Sequence, residues 1–397
     1  MNQRVLFVAA GSYQATAIRD AREAGYIVAA MDGNANARGL READQAYHAD
    51  ILDPAEIVRC ARNFGAQGIA IVCCDVAMEA VSLAARELGL PAMPLEVVRV
   101  SRNKMLQRER LQSAGLLVPQ FWLVHSLAEA RAAWKKLETS ACVVKPVDAS
   151  GSRGVSYVDG AEKLEFAFAQ AAQNSKSGTV LVESFMPGIE YSVEAWAAGT
   201  QLHLLTTSVK IRTEPPYFVD RQTHFPDDLA PAKRETMIEH AFRAIAACGF
   251  RDCPVHLECI DSPHGPMVVE LAARGAGAKI FTDILPRVAG LSTARATVQT
   301  SLGETPDLRC AAAGTAASLV FVDPLPGIFQ RADGVERARA VRGVAEVEIY
   351  LRAGDTMNQL RSGADRVGHV IAYDPDPARC RAAALEARAL IRVVTSS

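Results

Sequence analysis

Along residues 4–100, short apolar runs alternate with longer stretches whose apolar residues recur at helical spacing. Residues 4–10 are apolar and end at Gly11, residues 13–24 have helical period and stop at Gly25, and residues 26–31 form a second apolar run. Residues 54–64 predict a helix, 68–73 a third strand, and 76–88 a helix closed by Gly89. Short apolar strands between helices imply a parallel sheet covered on both faces. Such sheets bind ligands beyond the carboxyl ends of their strands. Those ends carry Gly11-Ser12, Asp32-Gly33-Asn34 and Cys74-Asp75. Gly11 lacks the further glycines of a dinucleotide-binding turn, so Asp32, placed where a ribose-binding acid would sit, is weak ground for a dehydrogenase.

Beyond residue 100 the pattern becomes mixed. Residues 121–124, 142–145, 155–158 and 180–183 predict strands, with helices over 127–137 and 161–172. Longer strands follow at 191–197 and 202–211, then a polar segment with Pro215, Pro216 and Pro226, then a helix over 232–248 with Met237, Ala241 and Ile245 on one face. From about 313 onward the chain reads as strands and turns, closing with a helix over 378–393.

Composition narrows the class. At 397 residues the chain is too long for one ordinary core. Its 49% apolar and 22% charged residues exclude extended disorder. A net charge of −2 without a basic patch argues against nucleic acid as a partner. The apolar run at 5–10 is a buried strand, too short for a signal peptide, and no stretch approaches the roughly 18 apolar residues that cross a bilayer. Nine scattered cysteines read as reduced core residues of a cytoplasmic protein.

Three segments carry chemistry. In the first, Lys145 leaves the end of an apolar strand and is followed by a small, flexible loop at 148–154. Gly151 and Gly154 let the backbone fold tightly, so that amides and the hydroxyls of Ser150 and Ser152 can point at phosphate oxygens. The lysine precedes the glycines, so this is no Walker loop, and an ordinary polar hairpin is the plain alternative. In the second, Glu183-Ser184-Phe185-Met186 ends a strand in a hinge whose backbone can meet an adenine edge, and Glu190 can accept from ribose hydroxyls. In the third, strands at 253–260 and 267–272 are joined by a turn near His264. Alternation puts Val255, Leu257 and Cys259 on one face and His256 and Glu258 on the other, with Val269 and Leu271 on the apolar side of the second strand. Glu258 then opposes Glu270, an unfavourable pairing unless a cation sits between them, and two carboxylates suit Mg²⁺. The same alternation turns Cys253 and Cys259 away from His256, against a thiolate metal site.

In this order and spacing the three segments resemble the ATP-grasp superfamily, specifically over about residues 1–305 and more loosely to the end, in the carboxylate–amine ligase branch with amino-acid ligases and carbamoyl-phosphate-synthase-like enzymes. The resemblance implies an α/β and α+β fold: a pre-ATP-grasp parallel-sheet domain over 1–100 and an ATP-grasp domain over 101–305. Within the latter, a small subdomain covers about 115–185 and the lid and catalytic core about 186–305. A small C-terminal α+β domain follows over 306–397. It implies ATP and Mg²⁺ as cofactors, with Lys104 and Lys145 on the nucleotide phosphates, the 150–154 loop over them, and Lys210 as a further phosphate contact. Glu183, the backbone of Ser184 and Met186, and Glu190 would hold adenine and ribose. Glu258 and Glu270 would bind magnesium, and Arg274 would neutralise the acyl phosphate and the tetrahedral intermediate. His224 stands where this branch places substrate-facing residues. The family's asparagine for a second metal is Ala272 here. The implied reaction activates a carboxylate as an acyl phosphate and joins it to an amine, releasing ADP and phosphate. A bicarbonate-activating enzyme and a non-catalytic ATP-binding module are the alternatives. The partners implied are small molecules, with neither nucleic acid nor membrane, and a homodimer is allowed.

Overall fold

The computed structural model describes residues 3–310 and 314–396. Its N-terminal sheet contains β1 (Arg4–Val8), β2 (Ile27–Asp32), β3 (Gln45–His48) and β4 (Gly68–Ile71), all parallel and ordered β3-β2-β1-β4. Helices α1 (Ser12–Glu23), α2 (Pro54–Phe64) and α3 (Met78–Glu87) cover it. Local chemistry sets the ends of α2: Asp53 caps the Ala55 amide, and Gly65 closes the helix at φ 72°, where a side chain would be strained. Strand order reverses between β1 and β4, so the crevice beyond their carboxyl ends is the switch point of the sheet. Gln14 of α1 spans it, donating to the Val72 carbonyl at 2.9 Å. Asp32 accepts from the Ala10 and Asn34 amides at 2.8 Å each, so its carboxylate braces the turn and is not presented to a ribose.

After α4 (Leu95–Ser101) and α5 (Lys104–Ser113) comes an antiparallel sheet of β5 (Phe121–Val124), β6 (Cys142–Pro146), β7 (Ser156–Val158) and β8 (Val180–Ser184), ordered β5-β8-β6-β7. Val144, Val180 and Val182 pack on α6 (Leu127–Lys136) and α7 (Leu164–Asn174). The period of two therefore turns Lys145 and Glu183 to the opposite face, away from those helices.

The third sheet contains β9 (Ile189–Ala198), β10 (Gln201–Arg212), β11 (Asp220–Phe225), β12 (Cys253–Ser262) and β13 (Gly265–Ala272), with α8 (Pro231–Ala247) on its apolar face. Cys253 and Cys259 lie in that core. Helices α9 (Leu285–Val288) and α10 (Thr293–Ser301) lead to β14 (Ala316–Val322), β15 (Gly327–Asp333), α11 (Val335–Arg339), β16 (Val344–Ile349), β17 (Thr356–Met357), β18 (Gly368–Asp374), α12 (Pro377–Leu390) and β19 (Arg392–Ser396). Strands β14, β18 and β16 extend the large sheet to the order β13-β12-β9-β10-β11-β14-β18-β16, so it runs on across residue 306 through the pairing of β11 with β14. No helix among the described residues is long and apolar enough to cross a membrane.

One assignment of faces is corrected. A bulge between Glu258 and Cys259 makes Val268, not Val269, the partner of Cys259. Val268 is buried in the core, while Val269 faces the cavity described below, because a bulge inserts one residue and re-aims its side chain.

Helix α10 packs on β4 through Gly68, where an added Cβ would lie 2.7 Å from the Ser301 carbonyl oxygen. Gly68→Ala is expected to cost about 1–3 kcal/mol through forced separation of these elements. Urea unfolding checks this, and a midpoint equal to that of the unaltered protein would show that helix and strand adjust freely.

Candidate active site

The three sheets converge on a cavity of about 550 Å³. The small sheet contributes Lys145 and Glu183, the large sheet Glu190, Lys210, His256, Glu258 and Glu270, and the N-terminal switch point Tyr13, Cys73 and Asp75. Each lysine predicted at the site lies here against a carboxylate.

Lys145 and Glu183 form an enclosed pair, 2.6 Å apart, with side-chain exposures of 6% and 3%. Arg108 of α5 closes on the same carboxylate through Nε at 2.6 Å and Nη2 at 3.2 Å, and Nη2 also donates to the Val269 carbonyl at 2.8 Å. Burial pushes the Glu183 carboxyl up, but Arg108 and Lys145 outweigh it and bring it down to about 2. Burial lowers Lys145 to about 8, because Glu183 offsets only part of the desolvation and Arg108 and Lys104 add repulsion. Glu183 therefore holds Lys145 and Arg108 in place, and both its oxygens are engaged within the chain. The sequence pattern does not single out Arg108, although its spacing of four from Lys104 puts two cations on one helix face.

Lys104 donates to the Ala149 carbonyl at 2.5 Å and to Glu270 at 3.1 Å. Lys210 sits among Glu190 at 3.2 Å, Asp220 at 3.3 Å and the closely bonded Glu258. Burial lowers its affinity for a proton, but Asp220, Glu258 and Glu190 outweigh this and raise it well above the ordinary lysine value. Glu190 also accepts from Arg212 at 2.6 Å. Glu258 stands directly opposite Glu270 on the β12–β13 hairpin. Burial pushes Glu258 up, yet Lys210 and His256 hold it well below the usual carboxylate range. His256, across from Ala272, lies 2.6 Å from Glu194 and 3.3 Å from Glu258. Burial disfavours its charge, but Glu194 prevails and raises it to about 9.

Arg274 is gripped by Asp75 in a two-pronged pair at 2.5 and 2.9 Å. Burial lowers the guanidinium's hold on its proton, but Asp75 more than restores it. Asp75 comes from the N-terminal sheet, 199 residues away in sequence, so no local pattern pairs them. The loop at 148–154 is divided in use. An added Cβ at Gly151, at φ 70°, would meet nothing within 4 Å, whereas at Gly154 it would lie 2.9 Å from Pro146 and Asn174. Gly151 is open to the cavity and Gly154 is a packing glycine. Ser152 donates to the Phe218 carbonyl at 2.8 Å, and Ser150 accepts from Arg153 within the loop.

Phe185 and Phe218 stack with centroids 5.8 Å apart, and Tyr157 meets Phe185 edge-on. Both phenylalanines line the cavity beside the hinge. The Ser184 amide donates to the Gln120 carbonyl at 2.9 Å and that of Phe185 to Ala141 at 3.0 Å, while the Met186 amide has no partner among the described residues. His224 is not brought to the cavity. It lies on β11 between Ser318 at 3.0 Å and Gln222 at 2.9 Å, and burial lowers it to about 4. The alternation of a strand hydrogen-bonded on both sides turns it toward the C-terminal layer.

A family described as ATP-grasp domain matches residues 138–283. The chain carries an ATP-grasp domain. A second family, L-amino acid ligase C-terminal domain 2, matches residues 320–396. Among curated proteins, the ATP-grasp chain is 28% identical over 294 residues to the uncharacterized protein y4rH of Sinorhizobium fredii, covering 73% of this chain and 60% of that one. It is 24% identical over 278 residues to human carnosine synthase 1, covering 64% of this chain and 33% of that one. The chain thus spans 60% and 33% of these two relatives. An L-amino acid ligase from Bacillus licheniformis has the same fold, with a TM-score of 0.85 at 21% identity over 100% of this chain and 99% of that one.

The Glu183 cluster makes a pH prediction. A carboxyl held near 2 in the fold against 4.5 in the open chain contributes stability that is complete above about 4.5 and is lost as pH falls toward 2. The shift corresponds to roughly 3 kcal/mol. Glu183→Gln should flatten the acid limb of stability against pH in that window and lower stability at pH 7, because two cations lose their partner. An unchanged acid limb in chemical denaturation would remove Glu183 as the keystone of the cluster.

Proposed function

We propose that the ATP-grasp chain is a cytoplasmic, ATP- and Mg²⁺-dependent ligase that activates a carboxylate as an acyl phosphate and joins it to an amine, releasing ADP and phosphate. The single observation that supports this best is the set of cations converging on one cavity, Lys104, Lys145, Lys210 and Arg274, each against a carboxylate. Phosphoryl transfer needs charge and positioning and little covalent help from the protein. The cavity's thiol fits no covalent role: burial pushes Cys73 far above its ordinary value, which keeps it a protonated, unreactive group. The nine free cysteines are consistent with a reducing compartment.

Glu258 and Glu270, each of which meets a lysine here, are the residues that would hold a hard cation. Bound magnesium would supply neutralisation of phosphate charge. Carboxylates that held such a cation would leave Lys104 and Lys210 to meet phosphate oxygens. Lys145, fixed by Glu183, lines the same cavity as Gly151 and its loop. Arg274, held by Asp75, presents its remaining N–H groups where an oxyanion develops on the acyl carbon. Phe185, Phe218 and the Met186 amide suit a flat heterocycle with one acceptor on its edge. Two of the proteins this chain resembles, a carnosine synthase and an L-amino acid ligase, make amino acids the first substrates to screen.

Substrate carboxylate labelled with heavy oxygen should yield labelled phosphate together with ADP, and neither AMP nor pyrophosphate. Arg274→Ala should cut this release by about 10²–10³ while weakening ATP binding little, since the oxyanion exists only after transfer begins. AMP formation would end the acyl-phosphate reading. Tight ATP binding without ADP formation for any carboxylate–amine pair would favour a non-catalytic module.

The metal assignment is tested separately. Glu258→Gln and Glu270→Gln should each abolish turnover and weaken Mg²⁺-dependent ATP binding in calorimetry, with the far-ultraviolet spectrum unchanged. Near-normal activity of either variant at limiting Mg²⁺ would refute it.

A further inference from the structure

The cavity wall beside Arg274 is a short run of backbone in conformations that side chains resist. Among the described residues, six other than glycine have positive φ, and only Ala278 and Lys279, at 52° and 66°, are neighbours in the chain. Glycine adopts such angles freely, whereas an alanine or a lysine there is strained. The turns that follow are also wide. The Phe281 amide reaches the Ala276 carbonyl at 3.3 Å and the Ile284 amide the Lys279 carbonyl at 3.1 Å, each five residues back. Turns of this kind are rare and recur at functional sites. Strained backbone persists only where its surroundings over-determine it.

Two anchors hold this wall. At its start, Arg274 Nη1 donates to the Gly275 carbonyl and the Cys73 thiol to the Ala276 carbonyl, both at 3.0 Å. Gly275 admits no side chain, since an added Cβ would lie 2.1 Å from the Phe281 ring, and Gly277 and Ala278 line the cavity. At its end stands Lys279, with a side-chain exposure of 7%, closely bonded to Glu346 and 3.3 Å from Glu348 on β16. Burial lowers its affinity for a proton, but the two acids outweigh this and raise it. Glu346, Glu348 and His369 bring donor atoms within 4.8 Å of one another, and Lys279 is the cation that meets them. Glu348 also faces Arg38, which follows β2, at 3.5 Å. Tyr13, which lines the cavity with Arg366, is within electrostatic reach of Lys279 and Glu348.

We propose that Lys279 is a positioning residue for the reaction: its ion pairs with Glu346 and Glu348 hold residues 275–278 in the strained form that shapes the cavity beside Arg274. The proposal rests on the ligase reading and adds to it a residue that acts through the wall and touches no substrate. It also gives β16, beyond residue 306, a part in the site. Without the pairs, Ala278 and Lys279 relax toward ordinary backbone angles, and the wall leaves the place where Arg274 works.

The test separates the two readings. Unaltered protein, ATP and Mg²⁺ are given the common amino acids as carboxylate donors, with hydroxylamine, a small nucleophile that traps acyl phosphate as hydroxamate. Lys279→Met keeps most of the side chain's length and the backbone strain but not the charge. It should lower kcat/KM for the donor by roughly tenfold to a hundredfold, the effect of misplacing reacting groups by about an ångström. ATP affinity in calorimetry should stay unchanged. Lys279→Arg should restore most of the loss. Glu346→Gln should show a smaller loss of the same kind, and the double variant should lose no more than Lys279→Met alone. Lys163→Met, which breaks an exposed pair with Asp159, should change none of these values. Amide exchange over residues 275–284 should quicken in Lys279→Met and not in Lys163→Met. Hydroxamate formation with donor kinetics unchanged in Lys279→Met, or in Glu346→Gln if the first variant fails to fold, overturns the proposal and leaves the ligase reading standing. Equal losses in donor kinetics and ATP affinity also overturn it, making Lys279 a residue of general stability. Absence of hydroxamate from the unaltered protein with every donor overturns both.

Discussion

The cavity depends on one electrostatic constraint: a cation taken out of water needs a carboxylate beside it. The Lys145–Glu183–Arg108 cluster is its most enclosed instance, with side-chain exposures of 6%, 3% and 0%. Removing Glu183 would leave two uncompensated cations in a low-dielectric setting, which is why such clusters are costly to break even where a fully apolar replacement would be as stable. Arg108 also bonds the Val269 carbonyl, so the cluster joins α5, the small sheet and the large sheet at a single point.

The same constraint organises the remaining polar groups. Lys210 balances acids from β9, β11 and β12, and Arg274 reaches out of the ATP-grasp domain to Asp75 on the N-terminal sheet. The pairs of Arg274 with Asp75 and of Lys104 with Glu270 bind elements distant in sequence, so groups that would act on a polyanionic substrate also hold the protein together without it. A substrate that brings its own negative charge, with a cation, can exchange partners with these residues at little net electrostatic cost. Arg366 departs from the rule. Its guanidinium rests on an aromatic face and a main-chain carbonyl, and its buried Nε has no partner.

Much of the fold was legible because its causes are local. The helix expected over 54–64 forms as α2, and its causes are local: Asp53, Pro54 and Gly65 cap, start and end it. Lys145 and Glu183 each alternate with a core valine, Val144 and Val182, and the pairing of β6 with β8 brings them to one face. The β12–β13 hairpin was legible to its register at Glu258 and Glu270, but not one residue further. The bulge beside Cys259 has no signature in side-chain pattern, and it exchanged the faces of Val268 and Val269. His224 looked available because its loop is polar, yet the pairing of β11 with both β10 and β14 encloses it.

By itself, then, the sequence determined what depends on neighbours along the chain: the strand and helix spans, the side of each strand that carries charge, and the residue types gathered at the phosphate-like loop. Only the tertiary structure decided who neutralises whom. Asp75 and Arg274, Lys104 and Glu270, and Arg108 and Glu183 are joined across separations of 199, 166 and 75 residues. Such partners are selected by how sheets stack, and the burial that makes a pair necessary arises only when the layers close. Arg366 is the extreme case. In the sequence it is one arginine among many, and its place at the cavity comes from a sheet that continues through β14 and β18, whose hydrogen bonds are made between segments with no local pattern in common.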